Sequence, residues 1–228
     1  MRRELQGAGA RRLAAAIGLA ALLLVAAAAR AAGPALRSGA APLDAFLDGL
    51  HSLRAAFSQQ VTGAHGRVVS RATGELVVLR PGKFRWVIHP AGEGGTEQLL
   101  VADGRNLWYY DSDLQQVTVR RESGALTATP AMLLSGGTRA LAAFEVSAAG
   151  SSGGLDWVRV VPKAADADFK EARLGFAGRE LKRMILKDKL GQTATLDFEH
   201  VRRNVPVPAA EVSFTPPAGA DVIGKPQT

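Results

Sequence analysis

The chain of 228 residues contains no cysteine. That absence removes disulfide bridges, thiolate metal sites and thiol nucleophiles, and it leaves no thiol that could carry a lipid at a mature N-terminus. Histidine is scarce as well: His51, His65, His89 and His200 are the four, and they lie far apart along the sequence. A metal centre is not expected, and no cofactor is assigned. Nor is there an H-E-x-x-H, a phosphate-cradling G-x-x-x-x-G-K-[ST] or a strand-to-helix G-x-S-x-G elbow. The acids Asp103, Asp111 and Asp113 fall in turn-like sequence, where a carboxylate ordinarily caps backbone N–H groups. An enzyme is not expected from this inventory.

A strong charge of one sign is also missing. The formal net charge is +7, and setting aside Arg2, Arg3, Arg11, Arg12, Arg30 and Glu4 subtracts four and leaves +3. So mild a balance does not point to nucleic acid. Those arginines flank the longest apolar run, Leu13 to Ala29, and basic residues followed by such a run read as a secretory signal over residues 1–31. Several small residues around Ala26 to Ala35 suit cleavage, so the cut is not fixed to one bond. A single membrane anchor is the alternative, since the run is just long enough to span. Residues 32–41 read as a Gly/Ala/Pro linker and residues 42–228 as one domain.

What is present is periodicity. Leu43, Phe46, Leu47, Leu50, Leu53 and Phe57 recur at steps of three and four and predict a helix with one apolar stripe. From Val61 the period becomes two, and turn signals punctuate it at "GAHG", "PGK", "PAGEGG", "DG" and "DSDL". The stretch "LTATPAMLLSGG" (Leu126 to Gly137) breaks the pattern and predicts a short helix, with Thr129 as its cap, Pro130 at its first position and Gly136 beyond its last turn. Strands then resume, separated by "GSSGG", "AADAD", "AGR" and "KLG", and a closing strand is expected around Val212 to Thr215. Consecutive strands on short turns pair antiparallel. The fold class is mainly β with an α lid: one strongly curved sheet with an apolar concave side, covered by two to three helices.

One residue does not fit an ordinary core. In "GELVVLRPGKFRW" (Gly74 to Trp86), Gly74, Leu76, Val78 and Arg80 share a strand face, as do Phe84, Trp86 and Ile88 on the next strand. A guanidinium on the apolar face must find oxygens, and no acid stands in register nearby. Backbone carbonyls of a covering element are the acceptors its five donors suit best. A clasp of that kind can open.

Taken together, "LRAAFSQQV", "GELVVLRPGKFRW", "EQLLVADGRNLWYYDSDLQQVTVR", "TPAMLLSG" and "FTPPAGADVI" resemble, in order and over nearly the whole mature chain, the LolA family of periplasmic outer-membrane lipoprotein carriers. The resemblance implies an incomplete antiparallel β-barrel of about eleven strands whose hydrophobic cavity is covered by a helical lid. It implies a monomeric carrier that takes lipoproteins by their acyl chains from an ATP-driven releasing complex in the inner membrane. It would hand them to an outer-membrane receptor. Arg80 is then the lid clasp. Leu50, Leu53 and Phe57 with Met132, Leu133 and Leu134 belong to the lid side of the cavity, and Leu76, Val78, Phe84, Trp86, Trp108 and Tyr110 to the sheet side.

Three rivals follow from the same residues. The receptor of that pathway shares the fold but is held by a lipidated N-terminal cysteine, which this chain lacks. A related carrier could serve another amphiphile, such as a glycolipid or polyene precursor, and a periplasmic esterase could act on lipids in the same cavity. A purely structural β domain would leave Arg80 without a use. Arg120, Arg121, Lys182, Arg183, Lys187 and Lys189 are candidates for docking or simply solvated strand faces.

Overall fold

A computed structural model describes residues 40–121, 131–136, 141–165, 167 and 169–227. The expected signal, most of the linker, and Thr129 with Pro130 lie outside the described residues. The first element is α1 (Ala41–Leu47), with Pro42 in the opening turn where a missing N–H goes unnoticed. It is short. Asp48 is extended at ψ 123°, and Gly49 takes φ +62°, a left-handed conformation that a side chain resists.

The helix expected as far as Phe57 is therefore corrected. Ser52–Thr62 is strand β1. Leu53, Ala55 and Phe57 are buried along one side of it, and a spacing of four satisfies a period of two as well as one of 3.6. β1 is also the middle of the sheet, paired with β2 (Val68–Leu79) on one flank and β11 (Thr193–Arg203) on the other. Two partners outweigh a helical pattern of three residues.

From β1 the sheet runs outward in two wings. One is β2, β3 (Lys83–Pro90), β4 (Gln98–Asp103), β5 (Asn106–Asp111) and β6 (Gln116–Arg121); the other is β11, β10 (Glu180–Asp188), β9 (Phe169–Ala177), β8 (Leu155–Pro162) and β7 (Phe144–Ser152). Neighbours in both wings are antiparallel, and a short β12 (Asp221–Ile223) adds to β6 in parallel. The sheet is open, with β12 and β7 at its two ends. The expected count of about eleven strands thus becomes twelve among the described residues, in an unclosed sheet. The closing strand expected at Val212 to Thr215 is absent: Ala209–Val212 is a 3-10 helix, and Pro206, Pro208, Pro216 and Pro217 withhold N–H groups that a ladder would need.

Helix α2 (Ala131–Ser135) is buried on every side. One apolar cluster contains Leu107 of β5, Phe84 of β3, Leu53 of β1, Leu174 of β9 and Val158 of β8, together with Phe46 of α1 and Leu134 of α2. Strands so far apart in one sheet share a core only if the sheet curls round the helices. The convex side carries a second, smaller cluster of Leu99, Val101, Trp108, Val117 and Val119, against which Phe214 and Ala220 of the C-terminal segment pack.

Candidate functional site

The candidate site is the covered concave face. Its floor is built by cross-strand register: Ala55 lies opposite Leu76, Leu76 opposite Trp86 and Trp86 opposite Leu100, while the next row joins Leu53, Val78, Phe84, Ala102 and Leu107. A third row pairs Phe57 with Gly74. Glycine is required there, because a Cβ at Gly74 would stand 2.4 Å from the Phe57 ring and 2.1 Å from the Val87 carbonyl oxygen. The Phe57 ring in turn meets Trp86 edge-on at 5.5 Å.

The roof is α1 and α2. Leu43, Phe46, Met132, Leu133 and Leu134 are at most 2% exposed, so the side chains of the two helices are seated in the curl of the sheet. Among the described residues the apolar face is thus covered by side chains of the roof itself. Two surface depressions have about 480 Å³ each, one beside Arg54, Glu75, His200 and Arg202 that also touches Ala55 and Leu76, and the other beside Gln59, Arg71 and Arg183. Both have charged walls and neither reaches Trp86.

Arg80, at the foot of β2, ties the two helices to each other. Its Nη1 donates to the Leu47 carbonyl at 3.1 Å and, at 3.5 Å, to that of Leu50; its Nη2 donates to the Gly136 carbonyl at 2.9 Å. All three acceptors are backbone oxygens at or just beyond helix C-terminal ends, where carbonyls lack helical partners. Burial pushes the guanidinium pKa down from its ordinary value, yet arginine starts so high that it stays charged at neutral pH. The β2–β3 turn adds a backbone bond from Gly82 N–H to Ser135 O at 2.8 Å.

Sequence reasoning missed a second set of ties, on the end of α1 and the turn that follows it. Arg203 Nη2 donates to the carbonyls of Phe46 at 2.7 Å and Asp48 at 2.9 Å, and its guanidinium lies 5.5 Å from the Phe46 ring centre. Arg179 reaches the Asp48 carbonyl at 3.2 Å. Asn204, at φ +56°, donates from Nδ2 to Gly49 O and accepts from the backbone N–H groups of His51 and Ser52. Burial first and the neighbouring Arg179 second lower the Arg203 pKa, and Asp48 opposes them. The one usable signal was Asn204 itself, a residue that tolerates positive φ before the proline-rich "VPVP".

Ten of the twelve apolar residues expected in the cavity sit in this cluster: Leu50, Leu53, Phe57, Leu76, Val78, Phe84, Trp86, Met132, Leu133 and Leu134. Leu53 and Phe57 do so from the floor, not the roof. Trp108 and Tyr110 do not join them. They face the convex side, where Phe214 lies 5.6 and 6.0 Å from their rings and Asp103 Oδ2 accepts the Trp108 indole N–H at 2.7 Å. In β5 the inward parity belongs to Leu107, opposite Ala102, because the Asp103–Gly104 turn fixes that register. β4 is apolar on both sides, so alternation alone did not reveal it. Burial raises the Asp103 carboxyl, but hydrogen bonds from Trp108, Asn106 and Arg105 overcome it and hold the group below its ordinary value.

No enzymatic constellation emerges among the described residues. The "GSSGG" of Gly150 to Gly154 spells a G-x-S-x-G, but it is the bend of the β7–β8 hairpin with exposed serines. Likewise "GADVIGK" at Gly219 runs along strand β12 and opens no helix. No group of three metal-ligating side chains is assembled among the described residues. Of the basic residues considered for docking, Lys182 pairs with Glu180, Arg183 with Asp197, and Lys189 donates to Ala165 O.

The profile of the outer membrane lipoprotein carrier protein LolA family matches residues 48–215. The chain belongs to the LolA family. An outer-membrane lipoprotein carrier protein of Dechloromonas aromatica is 43% identical over 181 residues, 79% of this chain and 85% of that protein. One from Methylobacillus flagellatus is 40% identical, covering 82% of this chain and 89% of its own, and one from Chromobacterium violaceum is 39% identical, covering 89% and 95%. For this LolA-family chain, the match spans both the floor strands and the arginine that joins the helices.

Proposed function

We propose that this chain is a periplasmic lipoprotein carrier, in which acyl chains replace the roof side chains on the concave face. The observation that carries this reading is the latch: one guanidinium holds two helix ends over a continuous apolar floor, through hydrogen bonds to backbone oxygens only. An acyl chain of roughly sixteen carbons holds about 13 kcal/mol of burial, at ~0.8 kcal/mol per methylene, so a lipoprotein does not leave a bilayer unaided. A carrier need only offer a face intermediate between a powered donor and the next acceptor. The inner-membrane releasing complex and the outer-membrane receptor are those two partners, and the carrier works as a monomer without catalysing a reaction.

Arg80 sets the grade of that face. With cargo seated, the helix carbonyls withdraw, the guanidinium loses its acceptors, and the loaded state rises in free energy. The ties are unequal: α1 keeps Arg203, Asn204 and Arg179 when Arg80 lets go, whereas α2 keeps the Gly82 bond among the described residues. α2 is therefore the half that opens and α1 the half that stays. The direct test is native mass spectrometry of the chain purified from periplasm, where a bound diacylated protein is expected. Recovery of a free glycolipid as the sole companion would replace this reading by that of a related carrier.

A further inference from the structure

Three tryptophans occur in the chain, Trp86, Trp108 and Trp157. Two of them have conventional acceptors: Trp108 Nε1 donates to Asp103 Oδ2 at 2.7 Å and Trp157 Nε1 to Ser152 O at 3.1 Å. Trp86 does not. It is 5% exposed, and its Nε1 is shut off from solvent with no hydrogen-bond partner among the described residues. Its cross-strand neighbours are Leu76 and Leu100, and the ring beside it is Phe57, which offers no more than a weak N–H···π contact. An indole N–H left in this state is costly, and it is uncommon enough in a folded core to need a reason.

We propose that the Trp86 indole N–H is the donor that receives an acyl carbonyl of the cargo. The inference rests on the carrier reading and adds to it a polar contact within an apolar face. Alkyl chains alone give such a face no orientation, since burial is proportional to area and has no direction. Every acyl chain, however, brings one carbonyl oxygen with its methylenes, and that oxygen loses water when the chain enters. Paired with Trp86, two unsatisfied groups become one hydrogen bond: the donor that is unmatched in the empty protein is matched in the loaded one. The fold thereby distinguishes an ester or amide-linked chain from a hydrocarbon of equal length.

The test compares a synthetic lipopeptide bearing two ester-linked palmitoyl chains with its di-O-hexadecyl ether analogue, on wild type and Trp86→Phe. Wild type is expected to bind the ester roughly 5–10-fold more tightly than the ether, the range of one hydrogen bond. In Trp86→Phe the ratio falls to about one: the lost indole area weakens both arms alike, and the ester arm falls further by roughly the same 5–10-fold. In wild type labelled at the indole nitrogens, one of three N–H resonances moves downfield with the ester and stays in place with the ether, which covers the case of a variant that does not fold. An ester-to-ether ratio that is unchanged in Trp86→Phe, or an indole resonance indifferent to the ester, overturns the inference. Failure of wild type to bind either lipopeptide overturns the carrier reading instead.

Discussion

At the scale of single residues, two positions are fixed by reasons that a hydropathy pattern does not contain. Gly74 is a glycine because the Phe57 ring rests on its Cα, and Gly74→Ala must push that ring or the Val87 carbonyl aside. Overpacking of this kind costs about 1–3 kcal/mol, so the urea midpoint is expected to fall with the m-value unchanged. A midpoint equal to wild type would mean that the ring moves freely. Arg80 stands where a hydrophobe would stabilise the closed core without joining the helices. Arg80→Leu is expected to load cargo as well as or better than wild type and to deliver it roughly tenfold more slowly, a factor matching one charge-assisted hydrogen bond. Lipoprotein bound per carrier and lipoprotein passed to acceptor membranes are the two readouts, and an equal loss of both would contradict a latch.

At the scale of elements, much was legible and the remainder was hidden by ambiguity of period. The strands of both wings follow from alternation and turn residues, and the position of Arg80 on the inward face follows from parity alone. The end of α1 did not, because Leu53 and Phe57 obey both periods until Gly49 is known to be left-handed. Trp108 and Tyr110 were placed on the wrong side because β4 and β5 are apolar on both faces, and the outer covering comes from a C-terminal segment with no periodicity of its own. Hydrogen exchange in Arg80→Leu should read out the inequality of the helices: amides of residues 132–136 speed up by tenfold or more, while those of 44–50 stay close to wild type. In Arg203→Leu the order should reverse. Equal acceleration of both helices in Arg80→Leu would mean that the roof moves as one piece.

The C-terminal segment is held by charge as well as by the packing of Phe214 and Ala220. Glu211 of the 3-10 helix forms a two-pronged ion pair with Arg54 of β1, and Arg54 foremost, by hydrogen bond and then by Coulomb attraction against the opposing effect of burial, holds the Glu211 carboxyl below its ordinary value of 4.5. A depressed carboxyl contributes stability that is complete above 4.5 and disappears as pH falls through the lower folded value. Wild type should therefore lose more urea stability between pH 7 and pH 3 than Glu211→Gln does. If the two lose the same amount, the pair contributes nothing to holding the segment.

At the scale of the whole molecule, the closed and loaded states are two ways of covering one apolar face. Met132, Leu133 and Leu134 are buried almost completely in the closed state, and at about 1.5–3 kcal/mol each they contribute about 5–9 kcal/mol of burial. One acyl chain brings about 13 kcal/mol, and it must also displace the latch bonds and be held in place. Displacing the roof therefore offsets part of what the cargo gains, which is the direction a reversible carrier requires: a face that bound cargo far better than its own roof would never release it. Shortening the roof should then act like opening the latch. Leu133→Ala removes burial from the closed state alone, about 2–5 kcal/mol at a core site, so cargo should be retained at least tenfold longer in a transfer assay. Leu196→Ala, on the floor shared by both states, should lower global stability without that retention. Weaker cargo binding by Leu133→Ala would show that α2 contacts the acyl chains more than it competes with them.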